Sequence, residues 1–147
     1  MNTPIGSTIK TALRLPRPLR AQLEHWAIAA HPHESCGLLL GRREGALIEA
    51  VHVRRGRNLN VSRAGDRYEL DPADHLAVQE EAHARGLDVV GVWHSHPDHA
   101  ARPSETDRAQ AWNEWSYVIV SVSRDAVCEL RSWRLHESHF IEEEVLP

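Results

Sequence analysis

Cysteine is scarce in this 147-residue chain, which has only Cys36 and Cys128. Two thiols do not make a disulfide framework, so a small cross-linked secreted scaffold is excluded. Both lie in apolar stretches and read as buried thiols of a reducing compartment. No run approaches the roughly 18 apolar residues of a membrane-spanning helix. The opening MNTPIGSTIK lacks the apolar core of a secretion signal, and a cytoplasmic location is expected. Positive charge is not in excess either: the formal net charge is −4 with eleven histidines counted as neutral. That balance gives no footprint for nucleic acid or a membrane surface, and neither is expected as a partner. Internal repeats, low-complexity tracts and linker-like stretches are also missing.

What is present is an ordinary globular composition, 41% hydrophobic and 26% charged. The length suits one domain, residues 1–147, with a core of its own. IKTALRLP alternates and predicts a first strand over residues 9–15. Pro18 suits a first helical turn, and Leu19, Leu23, Trp26, Ala27 and Ala30 recur at helical spacing up to Pro32. CGLLLGRREGALIEAVHV predicts a hairpin turning at Glu44 and Gly45. A long polar loop follows, then Asp71 as N-cap, Pro72 at the first helical position, and a helix closing at Gly86. LDVVGVWHSH reads as an apolar strand ending in two histidines. SETDRAQAWN reads as a helix from Ser104, followed by strands at SYVIVSVS and VCELRSWRL and a last one at HFIEEEV. The order β-α-β-β-α-β-α-β-β(-β) predicts a mixed α/β domain, a curved sheet with helices against it.

The stretch HSHPDHAARPSETD, residues 94–107, carries the chemistry. Residues i and i+2 of a strand share a face, so His94 and His96 project side by side. Asp107, in the first turn of the next helix, returns a carboxylate toward them. Two imidazoles and a carboxylate suit a catalytic zinc, which keeps a position open for water. The same residues have a plainer reading, since Ser104 and Asp107 match the N-cap and N3 positions of a capping box. Spacing alone serves both readings equally.

H-S-H-P followed after seven residues by S-x-x-D resembles the signature of the JAMM (JAB/MPN metalloenzyme, MPN+) family of zinc peptidases. The family also places a catalytic glutamate upstream, before a small-residue and apolar strand. Here PHESCGLLLG puts Glu34 ahead of Ser35, Cys36 and Gly37. The resemblance runs from the first helix to the strand after Trp115, with no departure at Glu34, His94, His96, Ser104 or Asp107. It implies a JAMM/MPN-like, cytidine-deaminase-like fold and one zinc per chain held by His94, His96 and Asp107. It also implies Glu34 as general acid and base on the zinc-activated water, and Ser104 as donor to the oxyanion. Pro97 shapes the strand exit or is a simple turn proline.

Other residues near the motifs carry plainer expectations. His31, His33 and His99 are read as surface histidines, and Trp93, Trp112 and Trp115 as core packing. Cys36 is read as a structural thiol, Asn58 and Asn60 as loop asparagines, and the glutamates at 142–144 as a solvated end.

The compact chain leaves little room for the insertions that grip a second ubiquitin, so it is more similar to small prokaryotic members. The resemblance then implies hydrolysis of a peptide or isopeptide bond at the C-terminal tail of a ubiquitin-like sulfur-carrier protein. Two alternatives belong to other classes. A non-catalytic MPN-type scaffold would have lost ligands that this chain keeps. A RadC-like DNA-repair-associated protein would carry a helix-hairpin-helix segment, which is not found.

Overall fold

The computed structural model describes residues 10–60, 68–109, 111–112 and 114–147. Its elements are β1 (Ala12–Arg14), α1 (Arg17–Ala30), β2 (Cys36–Glu44), β3 (Leu47–Gly56) and α2 (Pro72–Ala84). They continue with β4 (Asp88–Pro97), α3 (Glu105–Ala109), β5 (Ser116–Val122), β6 (Val127–His136) and β7 (His139–Leu146). Asp71 caps α2 by accepting the Ala73 N–H at 2.9 Å, with Pro72 first in the helix. Gly86 follows the C-cap with a φ of +68°, the conformation a helix exit needs and glycine adopts without penalty. Two expectations are corrected. The first strand is Ala12–Arg14, shorter than residues 9–15, of which Ile9 lies outside the described residues. The helix after Ser104 spans five residues, and Ala111 and Trp112 are no longer helical.

The sheet is mixed, as expected, but it closes. Its order is β1-β3-β2-β4-β5-β6-β7, and β1 pairs in parallel with both β3 and β7. A three-residue strand thus removes both free ends of the sheet. No signal within the chain announced this, because closure depends on two pairings of β1 with strands far along the sequence.

Strand alternation sorts the apolar residues into two cores. Leu39, Trp93, Val118 and Val120 join Leu23 and Ala27 of α1 in one. Leu38, Val92, Tyr117 and Ile119 join Val78 and Ala82 of α2 in the other. Gly37, the register partner of Trp93, makes a close approach possible: a Cβ there would lie 2.5 Å from the Trp93 indole nitrogen. That indole N–H donates to the Arg54 carbonyl at 2.9 Å. Among the described residues no helix is long and apolar enough to cross a membrane.

Alternation also corrects two expectations. Cys36 is buried but Cys128 is exposed, because β6 turns Cys128 outward. The glutamates at 142–144 are not uniformly solvated, since Glu143 is buried in β7. Its carboxylate accepts from the hydroxyls of Ser116 and Ser132, each at 2.7 Å, and from Arg134 Nη2 at 2.7 Å.

Candidate metal centre

β4 lies between β2 and β5: His94 pairs with Cys36 of β2 and Ile119 of β5, and His96 with Ser121 of β5. His94 and His96 share a face there, and both are buried. Their Nε2 atoms are 3.0 Å apart. Asp107 Oδ2, brought back by α3, lies 3.4 Å from His94 Nε2 and 3.7 Å from His96 Nε2. Donors on a tetrahedral zinc bonded at ~2.0–2.1 Å stand ~3.3 Å apart. The three atoms therefore have the spacing of one face of such a site, and the donor set suits zinc. Glu34 is also buried, with a carboxylate oxygen within 4.8 Å of the two histidine nitrogens. Either carboxylate could serve as a ligand: Asp107 Oδ2 stands 3.4 and 3.7 Å from the two Nε2 atoms, and Glu34 groups with the same two histidines.

The protonation of the rings is set by their surroundings. His96 Nδ1 lies 2.8 Å from the Ala100 carbonyl, which can only accept. The proton therefore sits on Nδ1, and the Nε2 lone pair faces the cluster. Burial drives the His94 pKa down, against the pull of Asp107, and favours the neutral ring that binds metal. For His96 burial also lowers, but Asp107 and the Ala100 carbonyl outweigh it and the net shift is upward. Burial would raise Asp107, yet the two histidines and the Ser104 N–H hold it well below the usual carboxylate range.

Ser104 and Asp107 form the reciprocal capping box anticipated from their spacing. The Ser104 N–H donates to Asp107 Oδ2 at 2.8 Å and the Asp107 N–H to Ser104 Oγ at 3.0 Å. Capping and metal-site readings thus coexist on the same atoms. The cap orients the carboxylate and uses Ser104 Oγ only as acceptor, so its O–H still has a proton to donate.

Several supporting residues were missed. Ser95, between the histidines, points to the other face, where its Oγ accepts the Ser35 N–H at 2.9 Å and meets Ser35 Oγ at 3.1 Å. Asn58, read as an ordinary loop residue, donates through Nδ2 to the Glu34 carbonyl at 3.1 Å. Its Oδ1 accepts from the N–H of Asn60 and of Glu69. Glu129 and Trp133 hold Ala101 by its N–H and carbonyl, at 2.9 and 3.0 Å. The H-S-H spacing alone could have drawn attention to Ser95; the others are brought in from distant strands and loops.

The histidines expected at the surface divide. His33 is exposed. His31 pairs with both Asp98 oxygens at 3.0 and 2.9 Å, joining the Glu34 loop to the loop after His96. His99 is exposed as expected, and its ring stacks on that of His96 at 4.2 Å. Trp93 is core as expected, whereas Trp112 is 63% exposed and Trp115 half-buried.

The family described as prokaryotic homologs of the JAB domain matches residues 16–136. This chain belongs to that family. It is similar to a desampylase of Haloferax volcanii, 36% identical over 61% of this chain and 63% of that protein's length. A desampylase of Pyrococcus furiosus is 30% identical over 85% of this chain and 81% of its own. A CysO-cysteine peptidase of Mycobacterium tuberculosis is 34% identical over 78% and 77%. Among solved structures, a protein from Desulfitobacterium hafniense superposes with a TM-score of 0.78 at 28% identity, covering 92% of this chain and 91% of that one. A JAB1/MPN domain protein from Archaeoglobus fulgidus shares the fold, with a TM-score of 0.50 at 20% identity over 93% and 99%. The named relatives are hydrolases.

Proposed function

We propose that this JAB-family protein is a zinc-dependent metallopeptidase with one zinc per chain. It hydrolyses a peptide or isopeptide bond at the C-terminal tail of a small ubiquitin-like protein of the sulfur-carrier kind. The observation that carries the chemistry is the triangle of His94, His96 and Asp107 donors at 3.0, 3.4 and 3.7 Å, with Glu34 beside it. The substrate class is supported by the names of the relatives, a desampylase and a CysO-cysteine peptidase.

In this reading His94, His96 and Asp107 hold the metal. When bound, zinc polarises the scissile carbonyl and makes water acidic enough to attack at neutral pH. Glu34 takes the proton from the attacking water and gives it to the leaving amine. Ser104 keeps its cap to Asp107 and points its hydroxyl proton at the oxyanion. Ser95 and Asn58 fix the peptide group that follows Glu34, so the carboxylate does not have to be ordered at the moment of reaction. No nucleic acid, membrane or other cofactor is needed, and the reading keeps the protein in the cytoplasm.

Elemental analysis of the wild type and of the His96→Ala, Asp107→Ala and Glu34→Gln variants tests the metal assignment. About one zinc in the wild type and in Glu34→Gln is expected, with loss in the other two. Retention in Asp107→Ala with loss in Glu34→Gln would reverse the roles of the two carboxylates. Mass spectrometry of ubiquitin-like carriers bearing extended tails, incubated with the zinc-loaded protein, tests the activity. No mass change across a panel of carriers would end the substrate proposal.

A further inference from the structure

A pocket of about 260 Å³ opens beside the metal centre. Its floor is one row of the sheet, since Leu38, Val92 and Tyr117 are register partners on β2, β4 and β5. The adjacent row in the same alternation is Cys36, His94 and Ile119. The floor thus lies two strand residues, ~7 Å, from His94. Tyr68 forms the wall between them: it lines the pocket, and its ring stacks on His94 at 4.4 Å. His75 and Trp115 are also on the rim, and Trp112 stacks on Trp115 at 5.7 Å. The Trp112 backbone N–H donates to the Tyr117 hydroxyl, which ties the exposed indole to the floor.

The lining points to an apolar occupant. Four aromatic and three aliphatic side chains line it, against one carboxylate and one imidazole. The volume falls below the ~300–1,000 Å³ of small-molecule sites and suits one large side chain. A tryptophan left 63% exposed at the rim of such a concavity is the kind of residue that anchors a bound peptide. By contrast, a cavity of about 460 Å³ between Lys10, Arg134 and Glu142 includes none of the metal-site residues and has nothing to indicate its occupant.

We propose that this pocket sets the enzyme's specificity by taking a leucine or phenylalanine side chain within two residues of the scissile bond. The inference rests on the peptidase reading above and adds to it what the site selects. An extended peptide advances ~3.3 Å per residue, which matches the two-residue step from His94 to the pocket floor. Leu38, Val92 and Tyr117 receive the side chain, and Trp115 and Trp112 close over it. Burial of such a side chain corresponds to at least about a tenfold gain in affinity.

The test uses zinc-loaded protein carrying Glu34→Gln, which stops turnover. The probes are glycine–alanine peptides with one leucine, phenylalanine or aspartate at each of four successive positions. Binding is read by NMR from the indole N–H signals of the five tryptophans. At one position, leucine or phenylalanine should bind tenfold or more tighter than alanine or aspartate. It should shift Trp112 and Trp115 and leave Trp26 and Trp93 in place. Trp115→Ala should abolish the preference, as should a tryptophan in place of Leu70, another lining residue, with one zinc per chain retained in both Trp115→Ala and Leu70→Trp. No binding, equal binding of all peptides, or shifts confined to other tryptophans overturns the proposal. Parallel cleavage by the wild type separates the two readings. Cleavage without preference removes the pocket's role and keeps the peptidase, whereas preferential binding without cleavage keeps the pocket and removes the peptidase.

Discussion

Ser95 Oγ accepts the backbone N–H of Ser35 at 2.9 Å, and the Ser95 N–H donates to the Ser35 carbonyl at the same distance. The residue between the two candidate metal ligands therefore clamps the residue after Glu34. One strand positions both halves of the site, with the imidazoles on one face and the glutamate loop tied to the other. A Ser95→Ala variant should keep its zinc, because neither histidine loses a contact. It should lose about 1 kcal/mol of stability, as one buried hydrogen bond is removed. Its kcat should fall about tenfold or more, with KM little changed, because Glu34 is less well held. Steady-state kinetics beside zinc analysis check this; unchanged kcat would make the clamp purely structural.

Ser104 offers a separable pair of roles. Ser104→Ala removes the cap on Asp107 and about 1 kcal/mol of stability. It also removes the hydroxyl donor, worth about 10²–10³ in kcat if it meets the oxyanion. Ser104→Thr should restore both, and Ser104→Asp should restore the cap alone. Thermal melts and kcat on the three variants resolve the roles. Full activity in Ser104→Asp would show that only the cap matters.

The thiol of Cys36 is pushed up to about 12, chiefly by burial and then by the charges of Glu34 and Asp74. In the unfolded chain it ionises near its ordinary 9.0. The sign follows: the unfolded state loses the proton first, so stability is full below pH 9 and declines as pH rises from 9 toward 12. At pH 10.5 this amounts to about 2 kcal/mol. Urea unfolding of Cys128→Ser and of Cys36→Ala/Cys128→Ser at pH 8 and pH 10.5 measures it. The gap between the two proteins should narrow by that amount at the higher pH. Native-state labelling at pH 8 should modify exposed Cys128 and spare Cys36.

Glu143 is wholly buried as a side chain, and its Arg134 partner is 12% exposed. Glu143→Ala leaves that arginine and the Ser116 and Ser132 hydroxyls without their acceptor. A loss of about 3–5 kcal/mol is expected from breaking a buried ion pair on one side. Zinc content and kcat per folded molecule should not change, because the pair belongs to β6 and β7, away from the candidate ligands. Denaturant midpoints check the first expectation and elemental analysis the second. A change below 1 kcal/mol would mean the site relaxes or admits water.

The sequence by itself determined the order of elements and the donor pattern, because those signals are local. Proline and aspartate set the start of α2, Gly86 its end, and His94-Ser95-His96 a shared face; the Ser104–Asp107 cap is contained within four residues. Only the tertiary structure decided what depends on register and on distant pairings. It closed the sheet through β1, turned Cys128 outward and Glu143 inward, and brought Asn58 to the Glu34 carbonyl. It also stacked Tyr68 on His94 beside an aromatic pocket. The physical reason is common to all of these. A strand's pattern gives alternate faces, but which face is buried, and against what, depends on partners far along the chain.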